Sequence, residues 1–123
     1  MDMFRKRIKP TRLESTQQLD ALVRSGTPVL VDFWQQGCQP CKVMDGIVKE
    51  LAEEFDGRAH VVMANAAEAP DTFQKYKVRS TPTFVVFTAK DGANALTQRF
   101  RASGLVKKDA LTRALESAGA TKS

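Results

Sequence analysis

The sequence predicts an α/β protein built on a central mixed β-sheet of four to five strands, with helices on both faces. Two observations carry this. Apolar, β-branched runs alternate with stretches whose apolar residues recur every three or four positions, so strands alternate with helices. A β-α-β opening gives parallel pairing, whereas the tight turn expected at Lys90-Asp91-Gly92 gives antiparallel pairing, and together they make the sheet mixed. Size agrees: 123 residues fit one domain. Roughly two-thirds of the unfolded surface can be buried at this length, which supports a core without disulfide staples.

Element by element, a short edge strand is expected near Lys9 to Leu13, confined to the edge by Pro10. Ser15 and Gln18 read as a capping box opening a helix with Leu19, Leu22 and Val23 on one face, ending at Gly26. Pro28 to Trp34 is almost continuously apolar, the mark of a strand covered on both faces. Cys41, Met44, Ile47, Val48, Leu51 and Phe55 then define an amphipathic helix from about Gln39 to Phe55, with Pro40 in its first turn. His60 to Ala64 is a second core strand, and Pro70 starts a short helix bearing Phe73 and Tyr76. Thr83 to Thr88 is a strand, Leu96 to Arg101 a more polar, edge-like one, and Lys107 to Ala118 a last amphipathic helix.

Composition narrows the function classes. Hydrophobic residues at 42% and charged residues at 27% suit a globular chain, not a disordered one. No apolar run approaches the ~20 residues of a membrane-spanning helix. Arg5, Lys6, Arg7, Lys9 and Arg12 stand against Asp2, so most of the net charge of +5 sits in the first twelve residues. No aromatic or glycine pattern of a nucleic-acid reader accompanies them, and they read as a solvated arm at 1–12 ahead of a single domain at 13–123. Ile8-Lys9-Pro10-Thr11-Arg12 is not the apolar stretch of a secretory signal, so a cytoplasmic location is expected.

The chemistry concentrates at Cys38-Gln39-Pro40-Cys41, between a buried strand and a helix start. Cysteines three apart on a helical turn share a face and reach bonding distance. Cys38 at the helix N-terminus meets free N–H groups and the positive dipole end, which stabilise a thiolate; Cys41, one turn in on the apolar face, stays a thiol longer. That asymmetry suits exchange: Cys38 attacks, a mixed disulfide forms, and Cys41 resolves it. Two cysteines and His60 fall short of a structural zinc site, although two thiolates alone could hold copper(I). His60 itself reads as an ordinary strand residue. Inert thiols or a permanent disulfide are the bland alternative, weakened by the helix-start position. Asp32, a lone carboxylate in a buried strand, is costly unless protonated or used.

The stretch Val31 to Lys42 resembles the thioredoxin active-site segment, and Lys75 to Phe84 resembles the second signature of that family, which contains its cis-proline. The resemblance runs from about Leu13 to Ala118. It implies a thioredoxin fold, with Cys38 as nucleophile, Cys41 as resolving thiol and Asp32 as the buried carboxylate exchanging a proton with Cys41. By the same resemblance Pro82 is the cis-proline facing the sulfurs, and Thr81 offers its backbone to an extended substrate. Gly104 lies in the third loop of the substrate groove, and Trp34 flanks that groove with Gly37, Gln39 and Pro40. Three departures stand out: Gly37 replaces the usual tryptophan, Gln39-Pro40 replaces Gly-Pro, and Met63 replaces a lysine near the buried carboxylate. Without that cation, the Asp32 carboxyl is expected to titrate further above its ordinary range.

The resemblance therefore implies a monomeric protein-disulfide reductase with no bound cofactor, the two thiols being its redox centre. It acts on protein disulfide substrates and draws electrons from an NADPH-dependent flavoprotein reductase, with no nucleic acid or membrane partner. An oxidase or isomerase would share the chemistry at another potential. A non-catalytic binding module or a copper(I) dithiol carrier are the alternatives from other classes.

Overall fold

The computed structural model describes residues 8–90 and 94–120. Its elements are β1 (Thr11–Leu13), α1 (Thr16–Arg24), β2 (Val29–Trp34), α2 (Gln39–Glu54), β3 (His60–Asn65), α3 (Pro70–Lys75), β4 (Thr83–Thr88), β5 (Thr97–Ser103) and α4 (Lys108–Ser117). The five strands form one sheet in the order β1-β3-β2-β4-β5. β3 runs parallel to both β1 and β2, while β4 is antiparallel to β2 and to β5. The sheet is mixed, as expected, and its strand count is the upper of the two anticipated. Asp91 and Gly92 of the expected turn lie outside the described residues, as do Asp2, Arg5, Lys6 and Arg7 of the basic arm.

Side-chain alternation splits the core into two layers, because successive residues of a strand point to opposite faces. On one face Leu30, Val61, Phe84 and Val86 pack with Met44, Val48 and Leu51 of α2 and Leu111 and Leu115 of α4. On the other, Val29, Val31, Phe33, Val62, Val85 and Phe87 pack with Leu19 and Val23 of α1, joined by Phe73 and Tyr76 at α3. Phe33 meets Phe73 edge-on at 5.1 Å between ring centroids. β2 is the central strand, and its residues from Val29 to Phe33 are buried throughout.

Local signals behave as their chemistry requires, with small differences. Ser15 Oγ accepts the Gln18 N–H at 3.0 Å, but the Gln18 side chain accepts from the Glu14 N–H at 2.7 Å rather than from that of Ser15. The reciprocal arm of the capping box thus reaches one residue further back. The opening strand is shorter than expected and begins just after Pro10, which has no N–H for the ladder. Ile8 packs against the α2–α4 layer, and Arg12 pairs with Glu68. β5 starts later and ends later than hydrophobicity suggests, since its largely exposed residues are selected by hydrogen bonding to β4.

Candidate active site

β2 ends at Trp34, and the chain turns through Gln35-Gln36-Gly37 into α2. Gly37 has φ +82°, in the left-handed region that glycine enters without a Cβ penalty. The turn makes Cys38 the N-cap of α2, and its Sγ accepts the backbone N–H of Cys41 at 3.3 Å. Pro40, in the first turn, has no N–H to satisfy. Cys38 and Cys41 are joined in a disulfide with Cα atoms 5.3 Å apart. The two are unequally placed: Cys38 is half-buried at the turn, whereas Cys41 is only 3% exposed. On reduction, Cys38 is left at the positive end of the helix beside a donor, and Cys41 in the apolar interior.

Asp32 shares the α2-facing side of β2 with Leu30, as the alternation of the strand dictates. It is 1% exposed, and neither carboxylate oxygen has a hydrogen-bond partner among the described residues. Burial, followed by the negative charge of Asp45, pushes its pKa up to about 7. Its register partner on β3 is Met63, so no cation stands level with it on that strand.

The remaining residues form two groups at the same end of the sheet. Trp34, Gly37, Cys38 and Cys41 line one cavity of about 150 Å³, together with Gln35, Gln36, Lys42 and Asp45. Thr81-Pro82 is a cis peptide just before β4, and the Gly104 N–H, just after β5, donates to the Pro82 carbonyl at 2.9 Å. Phe33 pairs with Thr83 and Thr83 with Ser103, so this second group lies at the edge where β2 ends. Gln39 and Pro40 are exposed on the first turn of α2 and do not line the cavity. A larger cavity of about 470 Å³ at the N-termini of α1 and α3, among Glu14, Glu68 and Asp71, shares no lining residue with the cavity at the sulfurs.

Sequence reading missed Asp45. It is half-buried, one helical turn beyond Cys41, and its i+4 spacing from that cysteine was the available signal.

A half-buried sulfur at the helix start, a second sulfur buried one turn in and a buried carboxyl raised to about 7 are groups suited to thiol–disulfide exchange. Comparison with known proteins gives the family. The family model described as Thioredoxin matches residues 10–117, and the chain belongs to that family. It is 37% identical over 98 residues to chloroplastic thioredoxin M2 of Arabidopsis thaliana, a match covering 79% of this chain and half of that protein. Thioredoxin 1 of a Nostoc species is 35% identical over 92 residues, covering 75% of this chain and 80% of that one. Among solved structures, a single-site mutant of a thioredoxin from Halobacterium salinarum aligns with a TM-score of 0.77 at 29% identity, covering 97% of this chain and 98% of that chain.

Proposed function

We propose that the protein reduces disulfide bonds of protein substrates by dithiol–disulfide exchange at Cys38 and Cys41. The observation that carries this is the inequality of the sulfurs, one capping α2 and the other buried one turn into that helix. In the reduced protein the Cys38 thiolate attacks one sulfur of a substrate disulfide. A mixed disulfide forms, and the other substrate sulfur leaves as a thiolate that takes up a proton. The Cys41 thiol then gives its proton to ionised Asp32 and attacks Cys38 Sγ. The second substrate sulfur is expelled and receives that proton, leaving the Cys38–Cys41 disulfide. Two electrons and two protons pass to the substrate, which becomes a dithiol. With a pKa of about 7, Asp32 has both its accepting and its donating form available near neutral pH.

Trp34, Gly37, Gln39, Pro40, Thr81, Pro82 and Gly104 are assigned to the groove that receives an extended substrate segment. Val43 and Leu105, 59% and 67% exposed, support a protein substrate because they offer apolar surface beside these residues in the chain. The two thiols store the electrons, so the cycle needs no bound cofactor, and the electron donor that the family resemblance implies is an NADPH-dependent flavoprotein reductase.

The test is the reduction potential of the Cys38–Cys41 couple in graded thiol buffers, paired with turnover of a protein disulfide such as insulin. A reversible two-electron couple more reducing than the cytosolic glutathione pool, with turnover, is expected. A markedly more oxidising couple would move the reading to disulfide formation or isomerisation, and no reversible couple would remove catalysis altogether.

A further inference from the structure

The exchange centre contains a second carboxylate. Asp45 follows Cys41 by four residues on α2, so the two lie on one side of the helix, and both line the cavity at the sulfurs. Asp45 is half-buried, and among the described residues it forms no ion pair. Lys42, which also lines the cavity, and Lys49, three before Asp45 and four after it on the helix, are exposed and beyond ion-pair distance. Among the described residues, the groups facing Asp32 and Asp45 from the other elements offer no compensating cation. β2 and its turn supply Trp34, Gln35 and Gln36 to the cavity, while β3 sets Met63 and β4 sets Phe84 level with Asp32. Lys108 of α4 is engaged with Glu50 and Glu54, further along α2. A negative charge without an ion-pair partner, in a partly desolvated cavity, acts over several ångströms on any other charge there.

We propose that Asp45 is a positioning residue of the exchange centre, a negative charge that holds the protons on Asp32 and Cys41 and makes the dithiol a stronger reductant. The inference rests on the exchange reading above. Its physics is one-sided. The Cys38–Cys41 disulfide is neutral, so Asp45 does not repel it. The reduced pair can carry a thiolate, and Asp45 raises the free energy of that ion. A less stable thiolate means a reduced form more ready to give up its electrons. The same repulsion reaches Asp32, whose raised pKa has the Asp45 charge as its second cause after burial. Asp45 thus opposes the helix N-terminus, which favours the Cys38 thiolate.

Asp45→Asn keeps the side chain's shape and removes its charge; Asp45→Glu keeps the charge. Two readouts separate an electrostatic role from a structural one. The first is the exchange equilibrium with glutathione from pH 6 to 9. In D45N it moves toward the reduced protein by about threefold where the thiol ionises, the factor that half a pKa represents, while D45E stays closer to the wild type. The second is an NMR titration of Asp32 in the disulfide form, where no thiol titrates; its midpoint falls in D45N. A reversible wild-type couple with both readouts unchanged in D45N overturns the role of Asp45 and leaves the exchange reading standing. A wild type with no reversible couple overturns both.

Discussion

The backbone N–H of Cys41 donates to Cys38 Sγ at 3.3 Å, so the sulfur assigned to attack is also the cap of the helix that carries its partner. Redox chemistry and helix stability are thereby coupled through one atom. A side-chain acceptor at an N-cap contributes about 1 kcal/mol over alanine. Cys38→Ala and Cys38→Ser both remove the sulfur assigned to attack and should both abolish exchange, yet they should differ in stability. Serine retains an acceptor for the Cys41 N–H, so urea denaturation is expected to find Cys38→Ala less stable by ~1 kcal/mol. Equal midpoints would show that the sulfur contributes nothing as a cap.

Asp32 gives a pH dependence whose sign follows from its burial. Its folded pKa, about 7, lies above the ordinary value of 3.8, so the native state binds the proton more tightly than the unfolded chain. This group's contribution is therefore most favourable below about pH 4 and is lost as pH rises toward 7. Fully lost, it amounts to a difference on the order of 4 kcal/mol. Asp32→Asn stays neutral throughout. In the disulfide form, the stability of wild type minus that of the variant should fall between pH 4 and pH 7 and level off above it. Denaturation midpoints at pH 4, 5.5, 7 and 8.5 check this, and a flat difference would mean that Asp32 titrates normally.

Legibility in the sequence followed the strength of the local signal. β2, α2 and β4 carry dense apolar patterns because both sheet faces are covered, and their bounds emerge within a residue or two. The two cysteines stand out because a helix start makes a thiol reactive, and Asp32 because a buried carboxylate is costly. β1 was legible only as a short edge strand: it has three residues, and its pairing with β3 is a tertiary choice that no local pattern records. β5 presents mostly exposed polar side chains, so hydrophobicity set its ends one and two residues early. Asp45 looks like any acidic residue on the flank of an amphipathic helix. Its significance appears only when α2 lies against β2 and brings a second carboxylate near Asp32.

Arg101 ties β5 to the segment leading into the cis peptide. Its guanidinium donates from Nη1 to the Tyr76 carbonyl at 2.7 Å and from Nη2 to the Lys77 carbonyl at 2.9 Å. Lys77 has φ +54°, the left-handed region that a side chain rarely enters, so this turn depends on such anchors. Because Arg101 is exposed, its removal should cost only about 1 kcal/mol of stability. The larger expectation is functional. With the segment before Thr81-Pro82 loosened, Arg101→Ala should raise KM for a protein disulfide by ~3-fold while changing kcat little, as loss of a positioning contact does. Arg101→Lys should recover only part of this, since an ammonium cannot reproduce the two-pronged contact. An unchanged KM in the alanine variant would remove Arg101 from substrate docking.

Gly46 sits in the interior of α2, immediately after Asp45, and has no evident structural need to be glycine. It is exposed, its φ is not positive, and a Cβ built on it meets no heavy atom within 4 Å. Glycine within a helix is less favourable than alanine by roughly 0.5–1 kcal/mol, because the unfolded chain loses more freedom on folding. Gly46→Ala should therefore raise stability by about that amount, visible as a Tm increase of several degrees. The added methyl points to solvent and carries no charge, so the potential of the Cys38–Cys41 couple should not move. A stabilised variant with an altered potential would mean that the freedom of α2 at Gly46 is itself felt at the sulfurs. A destabilised one would mean that the helix at this point is not the regular α-helix its backbone describes.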